Sequence, residues 1–226
     1  MKWLEERYYE ARGNRWFSYF AVFCRIALAL GFIPSGIVKL RGERFTALPS
    51  NHPLGQYFDS LQETGFYYNF IGFMQLVTAL LLIIPRTAFF GALLYFPIIM
   101  NICLLTYSVR FEGTRITTIM AMASLFLLVW DYDRIKRMFT DPSPKPEIKS
   151  NKFPVAFFGI VVGAIALVIA INQFMFDIRP GNSPLECTNG CAGNKKPEAC
   201  AAFCDCIYNQ GKPLDVCLGQ YESAEK

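Results

Sequence analysis

Residues 16–39, WFSYFAVFCRIALALGFIPSGIVK, form a run long and apolar enough to cross a bilayer, yet the run carries a permanent cation at Arg25. A helix of this length spans about 30 Å of hydrocarbon at about 1.5 Å per residue. An arginine at the centre of such a span costs roughly 2.5 to 3.5 kcal/mol. Arg25 therefore has to reach an interface or find partners inside a helix bundle.

The composition agrees with a membrane protein. Of the 226 residues, 53% are hydrophobic and 15% are aromatic, and the mean hydropathy is positive, which is typical of membrane-spanning chains. Five apolar runs are long enough to be spans, at residues 17–38, 66–84, 88–107, 116–130 and 153–176. We predict an all-α integral membrane protein: a four-helix transmembrane bundle, a fifth transmembrane helix and a small disulfide-stapled helical hairpin.

The basic residues predict the orientation, because Lys and Arg are enriched in cytoplasmic loops. They are most frequent before the first span, in the turn at Arg86 and between spans four and five. We expect these three segments to be cytoplasmic. An odd number of spans then places the N-terminus inside and the C-terminal tail in the periplasm of a bacterium, anchored in the inner (cytoplasmic) membrane.

Six of the eight cysteines lie in the tail, a density typical of a disulfide framework in an oxidising compartment. Two pairs are spaced four residues apart, so each pair shares one helix face. In an antiparallel hairpin the outer cysteines meet and the inner ones meet. The predicted pairs are Cys187 with Cys204, Cys191 with Cys200, and Cys206 with Cys217. Capture of Zn²⁺ or Cu⁺ by thiolates is the alternative.

These patterns divide the chain into four parts. We expect a four-helix membrane core at residues 1–137, a cytoplasmic linker at 138–152, the fifth transmembrane helix at 153–177 and the Cys-rich tail at 178–226. A stripe of small residues on the fifth helix would let another helix approach closely.

The first outer loop contains a helical stripe. Leu54, Tyr57, Phe58 and Leu61 recur at helical spacing, so we predict a short helix with this stripe in the membrane interface. His52, the one histidine of the chain, precedes it, and we expect it to be solvated.

Polar residues inside the first three spans form the candidate ligand site. Arg25 and Gln75 both lie about 10 to 15 Å from the predicted cytoplasmic ends of their spans, whereas Asn101 lies about 20 Å up. None of the predicted spans offers Arg25 a carboxylate. The three residues would line a pocket for a quinone-like or other anionic headgroup. Alternatively, Arg25 snorkels to the interface and Gln75 makes an interhelical hydrogen bond.

Catalytic patterns are missing from the sequence. It has no C-x-x-C, metal triad or phosphate loop, so we predict no catalytic residue, no metal and no cofactor, with a quinone as the alternative. Cys24 and Cys103 lie too far apart along the membrane normal to form a disulfide, and we expect both to be buried.

The first four spans resemble the DoxX-like family over about residues 25–134. The resemblance lies in the first-span pattern Arg25, Gly31, Gly36 and Lys39, in the hairpin GFMQLVTALLLIIPRTAFFGAL (residues 72–93), and in the exit WDYDR (residues 130–134). It implies a four-helix bundle and a role in quinone-linked sulfur-compound oxidation, thiol and superoxide defence, or membrane-protein assembly. Gln75 stands where many members carry Glu, so this position lacks the ionisable acid that a proton-coupled role would use.

We therefore expect a non-catalytic accessory, scaffold or assembly protein that binds lipid or a membrane or periplasmic protein partner, and no nucleic acid. The alternative is a subunit of a quinone-linked or thiol-redox oxidoreductase. The lack of a mid-membrane acid or an inverted repeat argues against a transporter.

Overall fold

The computed structural model describes residues 2–139, 152–175, 177–178, 180–181 and 183–224, and within these ranges the protein is all-α. Most of the predicted linker, residues 140–151, lies outside them. The helices are α1 (Lys2–Arg12), α2 (Arg15–Leu40), α3 (Pro53–Glu63), α4 (Phe66–Ile83), α5 (Ala88–Ser108), α6 (Thr114–Trp130), α7 (Tyr132–Phe139), α8 (Val155–Met175), α9 (Pro184–Cys191), α10 (Pro197–Tyr208) and α11 (Leu214–Ser223).

The predicted spans are helices, with ends within two residues of the expected positions. Helices α2, α4, α5 and α8 are long and apolar enough to cross a membrane. Helix α6 is also an uninterrupted apolar helix, but it has 17 residues, which is the lower limit for a membrane span. The all-α membrane fold is thus confirmed.

Helices α2 and α4 make the most extensive contact of the bundle, and two glycines permit it. A Cβ added to Gly72 would lie 2.8 Å from Gly36 O and 2.7 Å from Leu40 N, which is closer than van der Waals contact allows. Small residues let membrane helices approach in this way. Phe32 on α2 then stacks on Tyr95 of α5, with ring centroids 3.8 Å apart, in the centre of the core.

The two ends of the bundle carry different parts of the chain. At the end we name the Asp131 end, the Asn14 side chain caps α2 and donates to Lys152 O, just before α8. At the opposite end, the tail end, Arg115 at the start of α6 donates to Gln173 near the end of α8. The chain therefore runs between the ends five times, and α1 and the tail lie at opposite ends.

The tail is held by the three disulfides that the sequence predicts. Their Cα atoms are 5.9 Å apart in Cys187–Cys204, 5.5 Å in Cys191–Cys200 and 5.8 Å in Cys206–Cys217. The first two staple α9 to α10, and the third staples α10 to α11. Around these bonds only a small apolar cluster is buried, so a unit of this size depends on its covalent links.

The tail also contacts the loop before α3. The Asn51 side-chain amide donates to Ile207 O at 2.9 Å and to Lys212 O at 2.5 Å. These two carbonyls flank the turn between α10 and α11, which the third disulfide closes. Asn51 therefore connects the stapled tail to the membrane bundle.

The expectation that His52 is solvated is wrong. His52 is fully buried and caps α3, its Nδ1 accepting a hydrogen bond from Leu54 N at 3.1 Å. Burial lowers the pKa of His52 to about 4. The helix after it is confirmed, but its stripe is divided, since Leu54 is buried and Tyr57 is exposed.

Candidate functional site

The main partner of Arg25 is a carboxylate, contrary to the sequence expectation. Arg25 Nη2 lies 3.6 Å from Asp131 Oδ2, and the Asp131 side chain is 2% exposed. Asp131 directly follows α6 and forms its C-cap. It lies beside the first half of α2, where Ser18 and Arg25 line the same cavity, because α2 begins well beyond the end of α6. Counting residues from each helix end therefore misjudges their relative depth.

Two further arginines share the same carboxylate. Arg12 on α1 lies 3.3 Å from Asp131 Oδ1, and Arg134 on α7 lies 3.8 Å from it. The guanidinium of Arg12 also lies over the Trp130 ring, 4.5 Å from its centroid. Three cations from three helices therefore surround one buried anion.

Helix α1 is attached to this site by two tyrosines. The Tyr8 hydroxyl donates to Trp130 O and accepts from Asp133 N, while the Tyr9 hydroxyl donates to Asp133 Oδ1. These contacts hold α1 against the α6–α7 junction, and they fix the position of Arg12.

The three arginines and Asp131 line an open cavity of about 300 Å³. Its remaining wall comes from α2, from the α4–α5 turn at Pro85 and from Trp130. Among the side chains that line the cavity, three guanidinium groups against one carboxylate leave an excess of two positive charges. We call this set the arginine cavity: Arg12, Arg25, Asp131 and Arg134. Chemically it suits an anion, because guanidinium forks match the oxygens of phosphate and carboxylate.

Gln75 does not join Arg25 and belongs to a separate polar cluster nearer the tail end. Gln75 Oε1 accepts a hydrogen bond from Ser35 Oγ at 3.1 Å, and Ser35 Oγ in turn accepts from Lys39 Nζ at 2.5 Å. The Lys39 ammonium is buried over the Phe45 ring, 3.8 Å from its centroid. The alternative of an interhelical hydrogen bond by Gln75 is therefore confirmed, and the expected Arg25–Gln75 pocket is wrong.

Asn101 does not reach either cluster. It is exposed on α5, so the structure does not bring the three predicted pocket residues together.

Cys24 and Cys103 are both free and buried, as expected. The Cys103 thiol lies 3.7 Å from the Thr118 hydroxyl.

The tail holds the densest group of metal-ligating atoms in the described part of the chain. The Sγ atoms of Cys191, Cys200 and Cys204 lie within 4.8 Å of one another. All three are in disulfides, and a disulfide sulfur lacks the thiolate charge that Zn²⁺ or Cu⁺ binds. In the oxidised state these sulfur atoms link α9 to α10 as disulfides.

Sequence reasoning missed Arg12, Arg134 and Asp131 as site residues. The available signal was Asp131, an acid that directly follows the apolar run of α6. An acid at this place is equally typical of a helix exit, and the relative shift of α2 and α6 that brings it to Arg25 is a tertiary property.

Comparisons with known proteins support no assignment of activity. No protein-family model matches the chain, and no solved structure matches it. Over 73 residues the chain is 40% identical to the uncharacterized protein YwoB of Bacillus subtilis (strain 168). This match covers 32% of the chain and 47% of that relative, so it spans just under half the relative's length.

Proposed function

We propose that this protein is a membrane accessory or scaffold protein that binds an anionic phospholipid headgroup in the arginine cavity. The observation that carries the proposal is the sharing of one carboxylate, Asp131, by three guanidinium groups. Arg25 is only 16% exposed, and a buried cation without full compensation is costly. A bound phosphate would supply the missing negative charge.

An apolar track beside the cavity favours a lipid over a free phosphate ion. Val22 lines the cavity, and Ile26 and Leu30 follow at intervals of four residues along the same face of α2. All three side chains are exposed, which in a membrane-spanning helix means that they face the acyl chains. A phospholipid can therefore place its headgroup among the arginines and one chain along α2.

The proposed orientation puts the arginine cavity at the cytoplasmic leaflet. The basic segments at the Asp131 end support this, because such segments favour the cytoplasmic side and attract its anionic lipids. The three disulfides of the opposite end support an oxidising, extracytoplasmic location of the tail. The bacterial relative is in keeping with a bacterial cytoplasmic membrane.

The scaffold role extends to the tail. In this proposal the core is of the DoxX-like type, and the rigid tail is a recognition module for a membrane or extracytoplasmic protein partner. Its three bonds fix α9, α10 and α11 relative to one another, so the surface it offers is preorganised and costs little conformational entropy on binding.

The test compares lipid binding by three forms of the full chain in mild detergent: wild type, Arg25→Gln and Arg86→Gln. Arg86 is exposed at the same end but does not line the cavity, so it is a matched control for general surface charge. Native mass spectrometry with phosphatidylglycerol should show binding to the wild type and to Arg86→Gln.

Arg25→Gln should bind at least about tenfold more weakly, because 1.4 kcal/mol is tenfold in affinity and loss of one buried charged partner costs about 2 kcal/mol or more. Equal weakening by the two substitutions would mean that only surface charge attracts the lipid. Equal binding of phosphatidylcholine and phosphatidylglycerol by the wild type would also defeat the proposal.

A further inference from the structure

On the basis of the proposed lipid site, we infer that the arginine cavity selects a dianionic phospholipid, one whose headgroup joins two phosphodiesters, over lipids with one phosphodiester. The inference concerns the class of headgroup and follows from the charge, the contact distances and the size of the cavity.

The charge of the cavity matches two phosphodiesters. Of the four charged side chains that line it, three are cationic and one is anionic, which leaves an excess of two positive charges. A headgroup with a single phosphodiester neutralises half of this excess. A headgroup with two neutralises all of it, in a site where Asp131 is buried and Arg25 nearly so.

The contact distances leave the arginines available for further bonds. Arg12, Arg25 and Arg134 lie 3.3, 3.6 and 3.8 Å from the nearest Asp131 oxygen. Charge-assisted N–H to O bonds are about 2.7 to 2.9 Å long, and one guanidinium has five N–H donors. One carboxylate therefore leaves N–H donors of the three guanidinium groups available for other acceptors.

The arginines approach the Asp131 carboxylate from two sides. Arg12 and Arg134 lie nearest to Asp131 Oδ1, whereas Arg25 lies nearest to Oδ2. Two phosphates linked through a short glycerol can lie on the two sides of the carboxylate and each meet a different guanidinium. The cavity volume of about 300 Å³, equivalent to about ten water molecules, leaves room for more than one phosphate.

The test titrates the full chain in mild detergent with cardiolipin, which has two phosphodiesters, and with phosphatidylglycerol, which has one, at matched phosphate concentration. Dissociation constants come from native mass spectrometry. We expect the wild type and the exposed-site control Arg86→Gln to prefer cardiolipin by about tenfold or more. Glycerol phosphate tests whether a soluble phosphate is enough. It should bind far more weakly than either lipid, because it has no acyl chain to pack along α2.

Removing one positive charge should remove the preference. In Arg134→Gln the excess falls to one charge, so the ratio of the two dissociation constants should approach one, while Arg134→Lys should retain most of it. Thermal unfolding of each variant confirms that it is folded.

The outcomes separate the two proposals. A wild type that binds both lipids equally per phosphate, with binding still lost in Arg25→Gln, overturns the dianion inference and leaves the anionic lipid site intact. A wild type that binds neither lipid overturns both. A cardiolipin preference unchanged in Arg134→Gln overturns the assignment of that preference to the arginine cavity.

Discussion

Arg25 Nη2 and Asp131 Oδ2 lie 3.6 Å apart, joining the first half of α2 to the residue that caps α6. Arg12 and Arg134 approach the same carboxylate from α1 and α7. The negative charge of Asp131 thus offsets the repulsion among three arginines, and it links α1, α2 and α7 to the end of α6. Stability and ligand capacity of this end depend on the same residue.

Substitution of Asp131 should separate these two effects. In Asp131→Asn the arginines lose their shared anion, so we expect the free energy of unfolding in neutral detergent to fall by about 3 kcal/mol. Anionic lipid should restore more stability to the variant than to the wild type. Thermal unfolding with and without phosphatidylglycerol measures this. Asp215→Asn, at an exposed site in α11, is the control, and identical behaviour of the two variants would contradict the account.

The close contact of α2 and α4 predicts a strong effect of one methyl group. Gly72→Ala would bring Cβ to 2.7 Å from Leu40 N, a backbone atom that cannot rotate away. We expect a loss of about 1 to 3 kcal/mol, the usual cost of overpacking. Gly159→Ala on α8, where an added Cβ meets no atom within 4 Å, should leave the unfolding temperature unchanged. Because Ala favours the helix over Gly at both sites, comparable losses in both variants would show that the close approach at Gly72 is not their cause.

The contact of Asn51 with the tail can be removed without touching a disulfide. In Asn51→Ala, Ile207 O and Lys212 O lose their donor, at a cost of about 1 kcal/mol. We expect faster amide exchange and faster proteolysis at the α10–α11 turn, with the bundle unaffected. Asn189→Ala, on an exposed position of α9, should behave as the wild type. Unchanged exchange in Asn51→Ala would mean that the tail is held elsewhere.

The tail sulfurs should resist mild reductant in the native protein, because all six are buried in disulfides. Alkylation under native conditions, read by mass spectrometry, should label none of them, and Cys24 and Cys103 should react only after denaturation. Replacing both Cys206 and Cys217 with Ser should cost the tail about 2 to 4 kcal/mol. One readily reduced pair would instead favour the thiol-redox alternative.

Burial of His52 predicts a pH dependence of the loop before α3. Its pKa falls from 6.5 to about 4 on folding, so the neutral form stabilises the fold. This contribution is complete above pH 6.5 and is lost as the pH falls towards 4. Amide exchange of α3 between these values should accelerate in the wild type. His52→Asn keeps a capping oxygen and should remove the pH dependence of amide exchange in α3. If the variant still showed that pH dependence, another titrating group would be responsible for it.

The helices and the disulfides could be predicted because local rules determine them. Apolar length gave the spans to within two residues, and the spacing of Cys187, Cys191, Cys200 and Cys204 gave the pairing in an antiparallel hairpin. The site could not be predicted in the same way. The meeting of Arg25 with Asp131 depends on how far α2 extends past α6, and the burial of Lys39 depends on how the Phe45 loop folds over it.

The most direct measurement is photocrosslinking of the full chain in nanodiscs with an anionic phospholipid whose headgroup carries a photoreactive group. Peptide mapping should locate the adducts at the Asp131 end, in residues 18–25 of α2 and residues 130–134, and competition with unlabelled anionic lipid should abolish them. Adducts concentrated at the tail end, or spread evenly along the helices despite that competition, would contradict the account.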